Sequence, residues 1–79
     1  MKILIEPIMG RVRVTAHCSE SEKASLLKAY IVEHYAEAFR CREHYVDQDI
    51  FNFVFDTDDP EAILHLTRDI MEIEKRPLF

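Results

Sequence analysis

The segment at residues 50–55, Ile-Phe-Asn-Phe-Val-Phe, constrains the fold most, because its side chains alternate between two faces of an extended chain. Phe51, Phe53 and Phe55 share one of these faces. The other face carries two more apolar side chains and one asparagine. A strand that is apolar on both faces is typical of the interior of a sheet. We therefore expect residues 50–55 to form a central strand whose phenylalanines lie in the core.

Residues 2–16 predict two further strands that are joined in a hairpin. Ile3 and Ile5 share one face of the first strand, and apolar residues alternate with polar ones through residues 11–16. The only glycine of the chain, Gly10, lies between the two runs, and glycine adopts the positive φ that tight turns often require. The sequence therefore predicts a β-hairpin at the start of the chain.

The segment that follows has the pattern of a long amphipathic helix. Ser19 and Glu22 have the spacing of a capping box, in which side chain and backbone bond reciprocally at the start of a helix. Apolar residues then recur at spacings of three and four without an intervening glycine or proline. We predict a helix from Glu20 to Cys41 and a loop over residues 43–49.

Asp59 and Pro60 predict the start of a second helix, because aspartate caps free amides and proline fits the first helical turn. Pro77 ends this predicted helix. The predicted order is ββαβα, an α+β fold with a single domain over residues 1–79. We expect a two-layer sandwich, in which two helices cover one face of a three-stranded, mainly antiparallel sheet. The uncovered face would then carry Leu4, Arg11, Arg13, Thr15, Ile50, Asn52 and Val54.

Charge and segment composition narrow the classes of function. The formal net charge of the 79 residues is −5, which opposes direct binding to nucleic acid. The first residues contain too short an apolar run for a secretory signal, and no run approaches the roughly 20 apolar residues of a membrane span. We expect a cytoplasmic protein with reduced cysteines and no membrane contact.

A metal site is the first chemical candidate. Cys41 and His44 have a spacing that occurs in zinc sites, and His17, Cys18 and His34 are further potential ligands. Structural zinc sites usually contain two closely spaced ligand pairs. His17 and Cys18 are neighbours, so on a strand their side chains would point to opposite faces. We therefore predict no metal and no cofactor, and keep Cys41 and His44 as the candidates to test.

Enzymatic activity has no recognisable motif in this chain. A glycine-rich phosphate loop, a Cys-x-x-Cys pair and a His-Glu-x-x-His helix are all absent from the sequence. A short chain with one glycine also has little backbone from which to build an oxyanion site and a closed cleft. We predict that the protein is not an enzyme.

Six carboxylates bracket the central strand, at Asp47, Asp49, Asp56, Asp58, Asp59 and Glu61. Helix capping explains the pair at positions 58 and 59. The carboxylates that are not needed for helix capping predict a patch of negative charge that binds the basic surface of a protein partner.

In size, acidity and lack of catalytic motifs, the chain resembles small inhibitors encoded by phages and mobile elements, such as anti-CRISPR proteins and DNA mimics. This resemblance implies an inhibitor or modulator of a larger protein, which can be one that handles nucleic acid. It lies in composition and identifies no functional residue. The alternative is a homodimeric regulatory or scaffold subunit that associates through the uncovered sheet face, with Cys41 and His44 adding a metal.

Overall fold

The computed structural model describes residues 2–75, and side chains as far as residue 73. The elements are β1 (Lys2–Ile8), β2 (Arg11–His17), α1 (Ser21–His34), β3 (Phe39–Asp47), β4 (Ile50–Thr57) and α2 (Pro60–Lys75). All four strands form one antiparallel sheet in the order β1-β2-β4-β3. The predicted α+β class is confirmed. The predicted three-stranded sheet is wrong, because the order of elements is ββαββα.

The strand that the sequence analysis missed is β3. It occupies residues where the end of the first helix and a loop were predicted, and it pairs with β4 along its length. The turn between β3 and β4 consists of Gln48 and Asp49 and contains no glycine, although Gln48 has a φ of 54°. A hairpin turn without glycine or asparagine lacks the usual sequence signal for this conformation.

The first helix is shorter than predicted. α1 ends at His34 and not at Cys41, and the last turn is closed by the Tyr35 N–H, which donates to the carbonyl of Ile31 at 2.9 Å. Tyr35 and Ala38 still pack against the core from the turn that follows. The apolar spacing of three and four therefore continues after the helix has ended, which explains the wrong boundary.

The predicted helix starts had different outcomes. In α1 the N-cap is Glu20 and no side chain caps it, so the capping box predicted from Ser19 and Glu22 is wrong. In α2 the predicted cap is confirmed, since Asp59 Oδ1 accepts the N–H groups of Glu61 at 3.0 Å and Ala62 at 3.4 Å. Pro77, the predicted end of α2, lies outside the described residues. Neither α1 nor α2 is both long and apolar enough to cross a bilayer.

The core lies between the helices and one face of the sheet. Phe53 and Phe55 are fully buried, and Phe51 is 8% exposed, so the phenylalanine face of β4 is the core face as predicted. β4 lies between β2 and β3, which confirms its central position. Helical residues such as Leu27 and Leu66 belong to the same hydrophobic cluster as these phenylalanines. The predicted hairpin of β1 and β2 is also confirmed, and its Gly10 has a φ of 72°.

The other side of the sheet is here called the open face. Cross-strand pairing arranges its residues in four rows, in the order β1, β2, β4, β3: Lys2, His17, Ile50, Asp47; Leu4, Thr15, Asn52, Tyr45; Glu6, Arg13, Val54, Glu43; Ile8, Arg11, Asp56, Arg40. The seven residues predicted for the uncovered face all lie within these rows. The open face therefore combines apolar and charged side chains on four strands.

Candidate functional site

The six carboxylates predicted to bind a partner are divided between the two ends of β4. Asp47 is the last residue of β3, and Asp49 lies in the turn that precedes β4. The other four lie at its far end, at Asp56, Asp58, Asp59 and Glu61. A strand of eight residues at about 3.3 Å per residue separates these ends by roughly 23 Å. The structure does not bring the six carboxylates together as one patch.

Two of the carboxylates at the far end are paired with arginines. Asp56 lies between Arg11 and Arg42, each at 3.4 Å, and Asp58 contacts Arg40 at 3.3 Å. The pair of Asp58 and Arg40 is highly exposed to solvent, and such pairs contribute little to stability. Asp56 therefore belongs to an ion network across the sheet, whereas Asp58 stays accessible.

An open cleft of about 660 Å³ lies at this end of the molecule, between the end of α1 and the start of α2. We call it the acidic cleft, because it is lined by Glu33 of α1, Glu37 of the following turn, and Asp58 and Asp59 of the loop before α2. Arg40 also lines it and binds Asp58. Glu33 and Glu37 form no ion pair with any other described residue. The cleft thus has an excess of negative charge.

The two glutamates of the acidic cleft were not predicted from the sequence. Glu33 and Glu37 are four residues apart, which is the spacing of an exposed polar face on a continuous helix. Because α1 ends at His34, Glu37 lies instead in the turn that faces the loop before α2. No local sequence signal marks this arrangement, since it depends on where β3 begins.

A second depression adjoins the acidic cleft and shares Asp58 with it. This apolar groove has a volume of about 460 Å³ and lies between the β1–β2 turn and the first turn of α2. It is lined by Pro7, Ile8, Met9, Gly10, Thr57, Asp58, Pro60 and Ile63. The Met9 side chain is 99% exposed at the tip of the hairpin. An acidic surface and an apolar surface therefore meet at one end of the domain.

The wall of the acidic cleft is tied to α2 through Asp69. The Tyr35 hydroxyl donates a short hydrogen bond to Asp69 Oδ2, and the Tyr30 hydroxyl lies 3.4 Å from the same oxygen. Burial, and then the Asp69 carboxylate, raise the pKa of both Tyr30 and Tyr35 above the ordinary tyrosine value. Both phenols are therefore protonated donors at neutral pH, and they hold the end of α1 against α2.

The candidate metal ligands Cys41 and His44 both lie on β3. The His44 ring packs against Phe53 with a centroid distance of 4.9 Å, and Lys28 Nζ lies 3.2 Å from His44 Nδ1. Cys41 is an exposed free thiol. The sequence analysis had assigned Cys41 to a helix end and His44 to a loop, and both assignments are wrong because β3 includes these residues.

The other candidate ligands lie on different elements. His17 is an exposed residue at the end of β2, and the half-buried Cys18 thiol donates to the carbonyl of Glu20 at 3.2 Å. The His34 ring packs at a tilt against Tyr30, with a centroid distance of 4.3 Å. Within the described part of the chain, no three His, Cys, Asp or Glu side chains are grouped so that they could hold a metal ion.

Two candidate surfaces for recognition among the described residues are the acidic cleft with its neighbouring apolar groove, and the open face of the sheet. These two surfaces differ in their geometry and in their charge. Comparison with known proteins adds no further candidate, because no family model, no curated protein and no solved structure matches this chain.

Proposed function

We propose that this chain is a small, acidic, non-enzymatic protein-binding module that inhibits or modulates a larger protein with a basic surface. The observation that carries this proposal is the acidic cleft, which four carboxylates line together with one arginine. The carboxylates come from α1, the turn after it and the loop before α2. The net charge of −5 supports it, because it attracts basic partners at long range. Proteins that handle nucleic acid have basic surfaces of this kind, and they are the partner class that we favour.

Recognition at the acidic cleft would depend on Glu33 and Glu37. Their carboxylates have no cation of their own among the described residues, so a lysine or arginine of the partner can pair with them without displacing an existing ion pair. Hydrogen bonds between a guanidinium and a carboxylate are shorter and stronger than those between neutral groups. The charge excess would also accelerate association at low salt.

The apolar groove would supply the part of the interface that excludes water. Protein interfaces gain most of their affinity from a few desolvated anchors, and a fully exposed methionine adapts its shape to a partner. Met9 lies beside Ile8 and Pro60 in this groove. The partner segment should therefore present a basic side chain to the acidic cleft and an apolar side chain to the groove next to it.

The remaining predicted contacts define how far such a partner would extend. Glu61 is exposed in the first turn of α2, at the same end as the acidic cleft. Asp47 and Asp49 lie at the opposite end of β4, roughly 23 Å away by strand length. Only a partner that runs along the whole domain can contact both groups.

The experiment that tests the proposal compares two charge reversals of the same type. Glu37→Lys reverses a charge in the acidic cleft, and Glu72→Lys makes the same change at an exposed position of α2 outside it. Tagged wild-type protein and both variants are used to capture partners from cell lysate, and affinity for each purified partner is then measured by titration at low and high salt. The two variants have equal net charge, so any difference between them reports the cleft.

We expect Glu37→Lys to weaken binding about tenfold or more, because it places a cation where the partner's cation binds. Glu72→Lys should weaken binding only slightly, and high salt should reduce the difference between the variants. A partner that binds the wild-type protein and both variants with equal affinity would remove the acidic cleft from the function of this protein.

A further inference from the structure

The open face is the largest surface of the sheet that neither described helix covers, and we infer that it binds a second copy of this chain. Four of its side chains are apolar or aromatic and exposed: Leu4 is 56% exposed, Ile8 49%, Tyr45 45% and Ile50 39%. Leu4, Tyr45 and Ile50 lie in two adjacent rows of the sheet, and Ile8 lies in the last row. The two copies would pack sheet against sheet, around a two-fold axis parallel to the strands.

Several charged groups of the open face are already paired within one chain. Arg13 donates two hydrogen bonds to the carboxylate of Glu6, at 3.2 and 3.0 Å. In the row above, the Thr15 hydroxyl donates to Asn52 Oδ1 at 3.0 Å. Burial of a charge is costly when it loses its partner, whereas these groups retain theirs when a second sheet covers them. These paired groups therefore do not oppose self-association as isolated charges would.

Charge and shape are complementary in the first two rows when the axis is parallel to the strands. Such an axis places β1 of one copy over β3 of the other, within the roughly 30° by which packed sheets are rotated. Lys2 then faces Asp47 of the second copy, and Leu4 faces Tyr45 of the second copy. The two-fold symmetry repeats each of these contacts, so the dimer has two ion pairs and two apolar contacts in these rows.

The lower rows give mixed contacts in the same arrangement, since Ile8 faces Arg40 of the second copy. Arg11 faces Asp56 of the second copy, which adds a further pair of opposite charges. Glu6 faces Glu43 of the second copy, but Glu6 is held by Arg13, whose guanidinium then lies beside both carboxylates. An axis perpendicular to the strands would instead place Leu4 over Glu6 of the second copy, so the parallel axis is favoured.

The area of the open face sets the strength of the association. Four strands spaced at about 4.8 Å and seven residues long at about 3.3 Å cover roughly 19 by 23 Å. Two copies would therefore bury on the order of 1,000 Å², which lies at the lower end of specific interfaces. We expect a reversible dimer of micromolar affinity rather than a permanent one.

Sedimentation equilibrium of the intact chain tests the inference, over concentrations from about 10 µM to about 1 mM. The wild-type protein should convert from monomer to dimer in this range. Leu4→Glu should remain monomeric throughout, whereas Leu64→Glu, a matched change at a position of α2 that is 67% exposed, should dimerise like the wild type. A wild-type protein that is monomeric at every concentration would overturn the inference, and so would equal loss of the dimer in both variants.

A charge exchange tests the orientation of the two copies without altering an apolar residue. Asp47→Lys should weaken the dimer about tenfold, since it places two lysines opposite each other at two symmetric positions. The double variant Lys2→Glu/Asp47→Lys restores opposite charges and should recover most of the wild-type dissociation constant. Failure of the double variant to recover affinity would exclude this arrangement of the sheets. Both positions lie on the exposed surface, so both variants should fold.

Discussion

The two hairpins of the sheet have similar turns but are anchored to the core very differently. Each has two residues in its turn, one of them with positive φ, namely Gly10 in the first hairpin and Gln48 in the second. The edge strand of the first hairpin, β1, packs Ile3 and Ile5 against the core. The edge strand of the second hairpin, β3, buries only Phe39, and residues 40–47 are all exposed.

This difference shows which interactions hold an edge strand in place. β3 is bound by its backbone pairing with β4, by surface contacts such as that of His44 with Phe53, and by one aromatic anchor at its start. Phe39 stacks on Tyr35 at 5.2 Å and lies 6.0 Å from Phe55. We therefore expect the stability of the second hairpin to depend on Phe39, and that of the first to be distributed over several residues.

The largest predicted effect is that of Phe39→Ala. Loss of a buried phenylalanine leaves a cavity and typically costs about 3 to 5 kcal/mol of the free energy of unfolding. Tyr45→Ala on the same strand is the matched control, because Tyr45 is 45% exposed and should cost less than about 1 kcal/mol. Urea unfolding of both variants measures the difference. Similar losses in both variants would show that β3 is anchored along its whole length and not mainly by Phe39.

Native-state hydrogen exchange tests the weak anchoring of β3 without a mutation. The amides of β3 that bond to β4 should exchange at least about tenfold faster than those of β2 that bond to β4, because a strand with few buried contacts opens locally. β2 contributes Val12, Val14 and Ala16 to the core, and all three are fully buried. Equal protection of β2 and β3 would mean that the sheet opens only as a whole.

The same difference explains what the sequence could predict about the fold. Alternation of apolar and polar residues identified the first hairpin correctly. Residues 50–55 were identified by a short run that is apolar on both faces, with phenylalanine at every second position. β3 has no such period, because both of its faces are exposed from Arg40 to Asp47. Its turn also lacks glycine, so neither of the usual hairpin signals was present. Tyr35, which packs on the core from outside the helix, continued the helical spacing and hid the boundary.

The candidate site was predictable to a smaller extent. Asp58 and Asp59 could be identified because they directly precede a helix, where carboxylates have a known local role. Glu33 and Glu37 could not, because their place in the acidic cleft requires the turn between α1 and β3. The pairing of Asp56 with Arg42 likewise depends on β3. Residues whose surroundings come from a missed strand carry no local signal of their environment.

Substitutions in the two turns should change the stability of the protein in opposite directions. Gly10→Ala should destabilise the protein by about 1 to 2 kcal/mol, because a Cβ disfavours the left-handed conformation even though it would meet no atom within 4 Å. Gln48→Gly should stabilise the second hairpin, by less than about 1 kcal/mol, since it relieves the same cost but adds chain entropy in the unfolded state. Thermal unfolding of both variants tests the pair. A Gly10→Ala protein as stable as the wild type would contradict the assignment of backbone strain to these turns.

The smallest predicted effect concerns the anchor of the second hairpin at high pH. Tyr35 stacks on Phe39 and donates to Asp69, and burial followed by that carboxylate raises the pKa of Tyr35 above the value of about 10 expected for the unfolded chain. A raised pKa in the folded state gives stability that is complete below pH about 10 and is lost as the pH rises further. The free energy of unfolding should therefore fall more steeply between pH about 9 and about 11 in the wild-type protein than in Tyr35→Phe. Tyr45→Phe, which removes a tyrosine hydroxyl that does not contact Asp69, should retain the steeper decline. Parallel curves for the wild type and Tyr35→Phe would show that this phenol does not couple proton binding to the packing of the second hairpin.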